Sequence, residues 1–346
     1  MTVHLPSGLP RYLLRRLGQA VFVIWAAFTV TSLLLYLLPS DPVQIMIGPQ
    51  VRPTSGQLAR LRHEYGLDQP VVVQYLTHLG RALQGDLGRS IQSGVPVVTE
   101  LTRALPNTLA LTGCSLGLGT LLGGAVAWSA AYTSSPRLRA TLLAVPSLFN
   151  SVPTFWLGLV LMQLFSFTLR AFPTSGGTGF AALVLPAVTL AVPSAAFIGQ
   201  ILGAELIKAV REPYADTARA KGASRSRVLW GHALRNAMMP TLTVLGLLVG
   251  WQLSGSVVVE TVFGWDGIGR LTEEAVRTQD IPIVQGLVLL AAVCLALINL
   301  TVDLVYPLVD PRVLVRGPAG RPGERAPARV LDGASSAATM ASAGDR

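Results

Sequence analysis

Six long stretches without a charged residue constrain the fold of this chain more than any other feature. They cover residues 17–40, 104–136, 140–169, 171–204, 236–259 and 281–302. An α-helix needs roughly 20 predominantly apolar residues to cross the hydrocarbon core of a bilayer, so each stretch is long enough for one crossing. Only 13% of the 346 residues are charged, whereas a soluble domain carries about a quarter. The sequence therefore predicts an all-α membrane protein with six transmembrane helices.

The basic residues lie mainly on one side of these predicted helices. If the N-terminus is cytoplasmic, 18 of the 27 lysines and arginines fall in cytoplasmic segments, as the positive-inside rule requires. An even number of crossings then places both termini on the cytoplasmic side of the inner membrane. The net charge of +9 follows this topology and does not form one basic patch, so the lipid bilayer is an expected partner and nucleic acid is not.

Four regions follow one another along the chain. They are the N-terminus with the first membrane helix, an extracytoplasmic insertion, a core with five membrane helices, and a tail: 1–40, 41–103, 104–309 and 310–346. We predict a partly helical insertion, with helices at 55–65 and at about 70–83. The tail is rich in Ala, Gly, Pro, Ser and Arg, and we predict that it is disordered, because it cannot bury enough apolar area to offset its ordering entropy.

Glycines and prolines interrupt the apolar stretches. The second stretch carries glycines at spacings that let neighbouring helices approach closely: Gly113, Gly117, Gly119, Gly123 and Gly124. The third and fourth stretches carry prolines, which expose backbone groups that only protein or a water-filled cavity can satisfy: Pro146, Pro153, Pro186 and Pro193. The glycines predict tight helix packing. The prolines are compatible both with helices that face a pathway and with kinks buried among neighbours.

The segment between the fourth and fifth stretches is too polar for lipid and too periodic for a loop. It predicts two short cytoplasmic helices within about 212–235. Pro213 suits the first helical position behind Glu212, and Gly222 provides the C-terminal stop. A second helix is predicted to begin at Ser224 and to turn its apolar residues toward apolar surroundings: Val228, Leu229, Trp230 and Leu234.

The sequence lacks the motif of a nucleotide-hydrolysing pump. A P-loop needs a lysine directly after a glycine, whereas the two lysines of this chain, Lys208 and Lys221, follow isoleucine and alanine. An ion-coupled carrier needs ionisable groups near the bilayer centre, and the six stretches contain none. We therefore predict that the chain is not catalytic, binds no metal or cofactor itself, and takes its energy from a separate subunit.

The polar segment also resembles a known motif. Asp216, Thr217 and Ala218, followed after three residues by Gly222, are similar to the EAA-x-x-x-G coupling motif of ATP-binding-cassette (ABC) importer permeases. The wider strings YADTARAKGASRSRV and HALRNAMMP resemble the version found in the oligopeptide, dipeptide and nickel permease family. Further strings similar to family segments occur in the family's order over residues 11–312: LPSDPV, YGLDQP, GDLGRS, LPNTLAL, ETVFGWDGIGRL, DIPIVQG and NLTVDLVY.

Two departures from the family pattern concern the coupling motif and one outside loop. The motif begins with Asp and Thr in place of Glu and Ala, and Pro240 stands farther from Gly222 than in the general pattern, a spacing that fits the peptide and nickel branch. The loop between the third and fourth stretches is shorter than in some members, which affects substrate choice or docking of a binding protein.

The resemblance implies a type I ABC importer permease fold and an assembly of several subunits. The implied partners are a second, homologous permease in a heterodimer, two cytoplasmic ATPase subunits that bind ATP and Mg, and an extracytoplasmic substrate-binding protein. The ATPase-coupling residues would lie in the first short helix and its turn: Tyr214, Ala215, Asp216, Ala218, Arg219, Ala220, Lys221 and Gly222. The alanines would allow close approach to the ATPase. The implied substrate is a dipeptide or oligopeptide, with nickel or another metal complex as the alternative.

A separate hypothesis concerns the translocation pathway. Aromatic or polar character within the third, fourth and fifth stretches selects five candidate residues: Phe155, Trp156, Gln200, Trp251 and Gln252. Two rival functions stay open at this point. One is a channel or ion-coupled carrier that works alone, and the other is a membrane scaffold or insertase.

Overall fold

The computed structural model describes residues 9–37, 56, 69–177 and 179–309. Within these residues the chain is helical, and its one extended pairing is an isolated bridge between Arg89 and Pro96. The contacts within the chain define two compact units, with the boundary after Val305, and the helix bundle described here belongs to the first unit. The predicted all-α fold is confirmed. The helix predicted at 55–65 lies almost wholly outside the described residues, as does the tail at 310–346.

Eleven α-helices occur in the described residues. They are α1 Leu9–Leu37, α2 Val71–Leu83, α3 Val97–Tyr132, α4 Pro136–Asn150, α5 Thr154–Leu161, α6 Phe180–Ala209, α7 Pro213–Ala220, α8 Arg225–Val228, α9 Leu234–Phe263, α10 Ile268–Arg277 and α11 Ile281–Val309. Two π-helical segments extend this set. Met162–Thr168 continues α5, and Leu229–Ala233 joins α8 to α9 without a break.

The helices agree with the six predicted crossings. By length and composition, α1, α3, α6, α8 continued through α9, and α11 are each able to span a bilayer. The sixth crossing requires α4 and the extended α5 together. Several helices continue beyond the uncharged stretch that predicted them. For example, α3 begins at Val97 and not near residue 104, and its polar first turn contains Glu100.

The third predicted crossing is broken into two helices. The axes of α4 and of the extended α5 differ in direction by 95°. Pro153 stands directly before α5, where it removes an amide donor and disfavours the helical conformation of the residue that precedes it. Pro153 also offers no capping side chain, and the first backbone bond of α5 runs from Leu157 N to the Pro153 carbonyl. By contrast, Pro186 and Pro193 are buried within the continuous helix α6.

The packing of α3 against α6 confirms the prediction made from the glycines. A Cβ atom added at Gly123 would lie 2.6 Å from the Ala195 carbonyl oxygen and 3.0 Å from the Gly199 amide nitrogen. One added at Gly119 would lie 2.9 Å from the Ser194 Cβ. The two backbones therefore approach so closely that these positions exclude any side chain. The other glycines of the predicted set, Gly113, Gly117 and Gly124, face open space.

Apolar clusters fill the bundle at its two ends. The end that carries α7, called here the α7 end, is packed by small and branched side chains of α3, α6, the second π-helical segment and α9: Ala127, Ala131, Leu202, Leu206, Ala209, Leu229, Ala233 and Ala237. The opposite end is packed by larger side chains: Leu111, Met162, Leu183, Leu185, Leu190, Val259 and Phe263.

Helix α10 is absent from the sequence predictions. Gly264, with a φ of 62°, ends α9, and the chain then turns back so that α10 lies against α9 and α3. The segment has only ten helical residues with alternating charges, and glycine occurs at Gly264, Gly267 and Gly269, so its composition suits a loop as well as a helix. Helix α10 ends at Arg277, and Gln279, two residues later, adopts a left-handed φ of 57°.

The close approach of α3 and α6 is testable with two matched substitutions. Gly123→Val should destabilise the folded protein by about 1–3 kcal/mol, because the added side chain meets the backbone of α6. Gly117→Val, on the same helix but facing open space, changes helix propensity equally and should have a much smaller effect. Thermal unfolding of the purified protein in detergent measures both. Equal effects of the two substitutions would contradict the packing described here.

Candidate functional site

Helix α7 begins and ends as the sequence predicts. Pro213 occupies the first helical position behind Glu212, and the helix ends at Ala220. The next residues form a turn in which Gly222 N donates to the Arg219 carbonyl at 2.9 Å and Ala223 N donates to the Ala218 carbonyl at 3.0 Å. This pair of bonds is a Schellman motif, which requires a left-handed residue. Gly222 supplies it with a φ of 84°.

The two faces of α7 differ in exposure. Ala215 is fully buried within the chain, so it faces this protein's own helices and not a surface open to a partner. Ala218 is half-buried, and the remaining surface is formed by exposed residues: Asp216, Thr217, Arg219, Ala220 and Lys221. Arg219 is engaged within the chain, since it contacts Asp216 Oδ1 at 2.9 Å and donates to the Val210 carbonyl at 2.9 Å. The surface of α7 that is open to another subunit therefore consists mainly of polar side chains, with the small side chain of Ala220 among them.

Tyr214 connects α7 to the segment that follows. Its ring packs edge-on against His232, with the ring centroids 6.4 Å apart. Its hydroxyl oxygen is buried and has no hydrogen-bond partner among the described residues. Tyr214 therefore holds α7 against the π-helical segment by packing and not by a hydrogen bond.

Helix α8 and the π-helical segment form the second predicted element. Ser224 caps α8 by accepting a hydrogen bond from the Arg227 amide. Val228 and Leu229 are buried, as predicted, whereas Trp230 is 63% exposed and stacks on Trp128 of α3. Because the π-helical segment runs directly into α9, α7 and α8 are connected to two membrane helices, α6 before them and α9 after them.

The five candidate pathway residues do not form one cluster. Phe155 and Trp156 lie exposed just after the bend that precedes α5, and Trp251 is exposed on α9. Gln200 is half-buried and donates to Ser147 Oγ at 3.0 Å. No hydrogen bond or ring contact within the described part of the chain joins any two of the five side chains, and their role in a pathway stays a prediction.

Gln252 occupies a different environment from the other four candidates. It is fully buried, its Oε1 accepts from Ser115 Oγ at 2.8 Å, and its Nε2 donates to Ser194 Oγ at 2.6 Å. These bonds join α9 to α3 and α6 inside the bundle.

Ser115 also stands in the letter pattern G-x-S-x-G, which in hydrolases forms a strand-to-helix turn. Here it lies within the continuous helix α3, which is not the setting of a nucleophile.

Glu260 is a buried acceptor that sequence reasoning did not single out as a site. Its side chain is fully buried near the end of α9, and its oxygens accept from Thr108 Oγ1 at 2.8 Å, Gly269 N at 2.7 Å and Arg270 N at 3.2 Å. Thr108 Oγ1 in turn accepts from the Ile268 amide at 2.7 Å. Glu260 and Thr108 therefore satisfy the first amides of α10 and fix this helix against α9 and α3.

Asp280 has a similar role one helix later. It stands directly before α11 and accepts from Ser90 Oγ, from Ile91 N at 3.2 Å and from Gln92 N at 3.3 Å. Its Oδ1 also lies 3.5 Å from the Ile283 amide in the first turn of α11. Both acidic residues stand at helix ends, where a carboxylate is suited to capping, and both accept from backbone amides there. What the sequence missed is their burial and their distant partners.

The geometry defines a polytopic helical membrane subunit with a short helix pair between two membrane helices at one end. Residues 119–315 match the family described as binding-protein-dependent transport system inner membrane component. Residues 9–112 match the family of the N-terminal part of such membrane components. The chain therefore belongs to the family of binding-protein-dependent transport system inner membrane components.

Curated relatives cover nearly the whole chain. The probable peptide ABC transporter permease protein y4tP of Sinorhizobium fredii is 37% identical over 310 residues, which are 87% of this chain and 98% of that protein. The glutathione transport system permease protein GsiC of Salmonella paratyphi A is 37% identical over 304 residues, with the same coverage. The dipeptide transport system permease protein DppB of Escherichia coli is 35% identical over 335 residues, which are 88% of this chain and 98% of that protein.

A solved structure shows the same fold. An inward-facing structure of the MetNI methionine ABC transporter aligns with a TM-score of 0.52 at 22% identity, over 61% of this chain and 96% of that chain. This similarity establishes the type I ABC importer permease fold that the sequence resemblance implied.

The role of Glu260 leads to a graded prediction. Glu260→Ala should lower the free energy of unfolding by about 3 kcal/mol, because three buried donors lose a common acceptor. Glu260→Gln keeps one carbonyl oxygen in place and should cost about 1 kcal/mol. Chemical or thermal unfolding in detergent measures the difference. A smaller loss for the alanine variant than for the glutamine variant would contradict the capping role.

Proposed function

We propose that this chain is the permease subunit of an ABC importer that carries peptides, driven by ATP hydrolysis on partner subunits. The observation that supports the proposal most is helix α7. This short helix stands between two membrane helices along the chain, has one exposed face, and ends at the turn that Gly222 permits. A helix in this position receives force from outside the membrane and passes it to α6 and α9. Because the chain belongs to a family of transport-system membrane components, that force would come from a partner subunit of such a system.

The ATP chemistry belongs to other subunits in this proposal. Neither lysine of the chain follows a glycine, so no P-loop is available to hold phosphate. ATP and Mg would bind to two ATPase subunits that seat on α7 through the exposed face around Ala220 and Lys221. Any ion pair made by Lys221 at that surface contributes about 1 kcal/mol or less, because it is exposed to solvent.

The sidedness of the chain follows from its charges. Residues 208–235, which contain α7 and α8, carry more basic residues than any other segment between the membrane stretches, which supports a cytoplasmic α7 end and two cytoplasmic termini. A substrate-binding protein would then dock at the opposite end, and a second, related permease would complete the pathway. We propose a heterodimer, as the resemblance of the 41–103 insertion to one of two permease types implies.

Peptides are the proposed substrate because relatives at 35–37% identity carry peptide, glutathione and dipeptide transport in their names. The test is uptake into vesicles that contain this chain with its partner permease, its ATPases and its binding protein. We expect ATP-dependent uptake of a labelled dipeptide or tripeptide. Uptake of nickel or another metal complex in place of peptide would assign the alternative substrate, and solute flux through the chain without ATP or partners would refute the importer.

Gly222 offers a direct test of coupling. Gly222→Glu should abolish uptake and leave the protein in the membrane, because a bulky charged side chain in a left-handed turn disturbs the surface that binds the ATPase. Gly222→Asn is the matched control, since asparagine tolerates this conformation and adds no charge, and it should keep most of the activity. Uptake by the glutamate variant at the level of the asparagine variant would refute the coupling role of the α7 turn.

A further inference from the structure

Arg225, the first residue of α8, is bonded to a distant part of the bundle. Its guanidinium donates to Ser134 Oγ at 2.8 Å, to the Thr133 carbonyl at 3.1 Å and to the Ala131 carbonyl at 3.2 Å. The guanidinium carbon also lies 5.5 Å from the centroid of the Tyr132 ring. All of these groups belong to the end of α3 and to the turn that leads into α4.

The chemistry of a helix end explains why an arginine fits here. The last carbonyls of α3 have no donor within the helix and carry the negative end of its dipole. Arg139 of α4 donates to the Ala130 carbonyl at 3.1 Å and to the Thr133 carbonyl at 2.8 Å, the second of which it shares with Arg225. The planar fork of a guanidinium is able to bind several acceptors at once in a fixed orientation, which a lysine is unable to do. The α3–α4 turn, residues 133–135, is thus held between two arginines.

Hydrogen bonds and a cation–π contact with Tyr132 hold α8 to the end of α3 and to this turn. Beside Arg225 an open cleft is lined by Trp128, Tyr132, Leu138 and Leu142. Trp128 stacks on Trp230 of the π-helical segment, with ring centroids 4.6 Å apart. Among the described residues, the guanidinium of Arg225 makes the only side-chain hydrogen bonds between α8 and the α3–α4 turn.

We propose that Arg225 is a positioning residue that transmits the movement of α7 and α8 into the α3–α4 turn. This inference rests on the proposed function, in which an ATPase moves α7. Helices α6 and α9 follow α7 and α8 because the chain connects them directly. The α3–α4 turn lacks such a connection through the chain, and Arg225 supplies one by donating to two of its acceptors, Ser134 Oγ and the Thr133 carbonyl, and to the Ala131 carbonyl at the end of α3. Movement of the turn displaces α4, which leads to the bend ahead of α5, where Phe155 and Trp156 lie exposed.

The test compares two arginines of the same helix in the vesicle system described above. Arg225→Gln should lower the amount of solute transported per ATP hydrolysed about tenfold, with the ATPase subunits still bound. Arg227→Gln removes the same charge from an exposed position two residues away and should stay within about twofold of the unsubstituted protein. Equal coupling in the two variants would overturn the proposal. If transport and ATP hydrolysis both fell in proportion to the amount of assembled complex, the role of Arg225 would be purely structural. That result would also overturn the proposal.

Milder variants cover the case in which Arg225→Gln does not assemble. Ser134→Ala removes one of the acceptors and Arg225→Lys keeps the charge without the fork, and each should lower transport per ATP about threefold. Unchanged coupling in both assembled variants would count against the proposal.

A readout that needs no substrate separates this inference from the peptide assignment. Amide hydrogen exchange at residues 130–139 of the assembled complex should change when ATP is added, and Arg225→Gln should remove that change. Lack of an ATP-dependent change in the unsubstituted complex would overturn the proposed link. Lack of peptide uptake alongside a normal exchange response would refute only the substrate.

Discussion

The contact between α3 and α6 is the constraint on which the rest of the bundle depends. In lipid there is little hydrophobic drive for helices to associate, so close backbone approach supplies much of the attraction. Gly119 and Gly123 permit that approach, and no larger residue fits at Gly123 without displacing the α6 backbone. Gln252 then joins α9 to the same pair through Ser115 and Ser194. The short helices α7 and α8 are connected by the chain to two members of this unit, α6 and α9.

The two ends of the bundle satisfy their helix termini with opposite charges. At the α7 end, Arg225 and Arg139 donate to the carbonyls that finish α3. At the other end, Glu260 and Asp280 accept from amides at the start of α10 and in the loop at Ser90–Gln92, and Asp280 also stands at the start of α11. Each arrangement complements the helix dipole at its end. The arginines that indicate membrane sidedness in the sequence thus also complete the hydrogen bonding of the fold.

Features that depend on local residue order were predictable, and features that depend on distant partners were not. The lengths of the apolar stretches predicted the membrane crossings. Pro213 and Gly222 predicted where α7 begins and ends, because proline restricts and glycine widens the backbone conformations available at their own positions. Gln252 was assigned to a pathway from its polarity alone, whereas its partners lie 58 and 137 residues away and no pattern links them. Glu260 at the end of an apolar stretch suits a solvent-facing cap equally well, and only the return of α10 buries it. The bend at Pro153 was visible as a helix-disrupting residue, but its angle depends on packing.

The break between α4 and α5 affects how the subunit is accommodated by a bilayer. The first amides of α5, at Thr154, Phe155 and Trp156, have no acceptor within their helix, and Pro153 provides no cap. Hydrocarbon accepts no hydrogen bonds, so these amides require protein or water beside them. One copy surrounded only by lipid would therefore be incompletely solvated along this face. Its backbone becomes fully hydrogen-bonded only where protein or water supplies acceptors to these three amides.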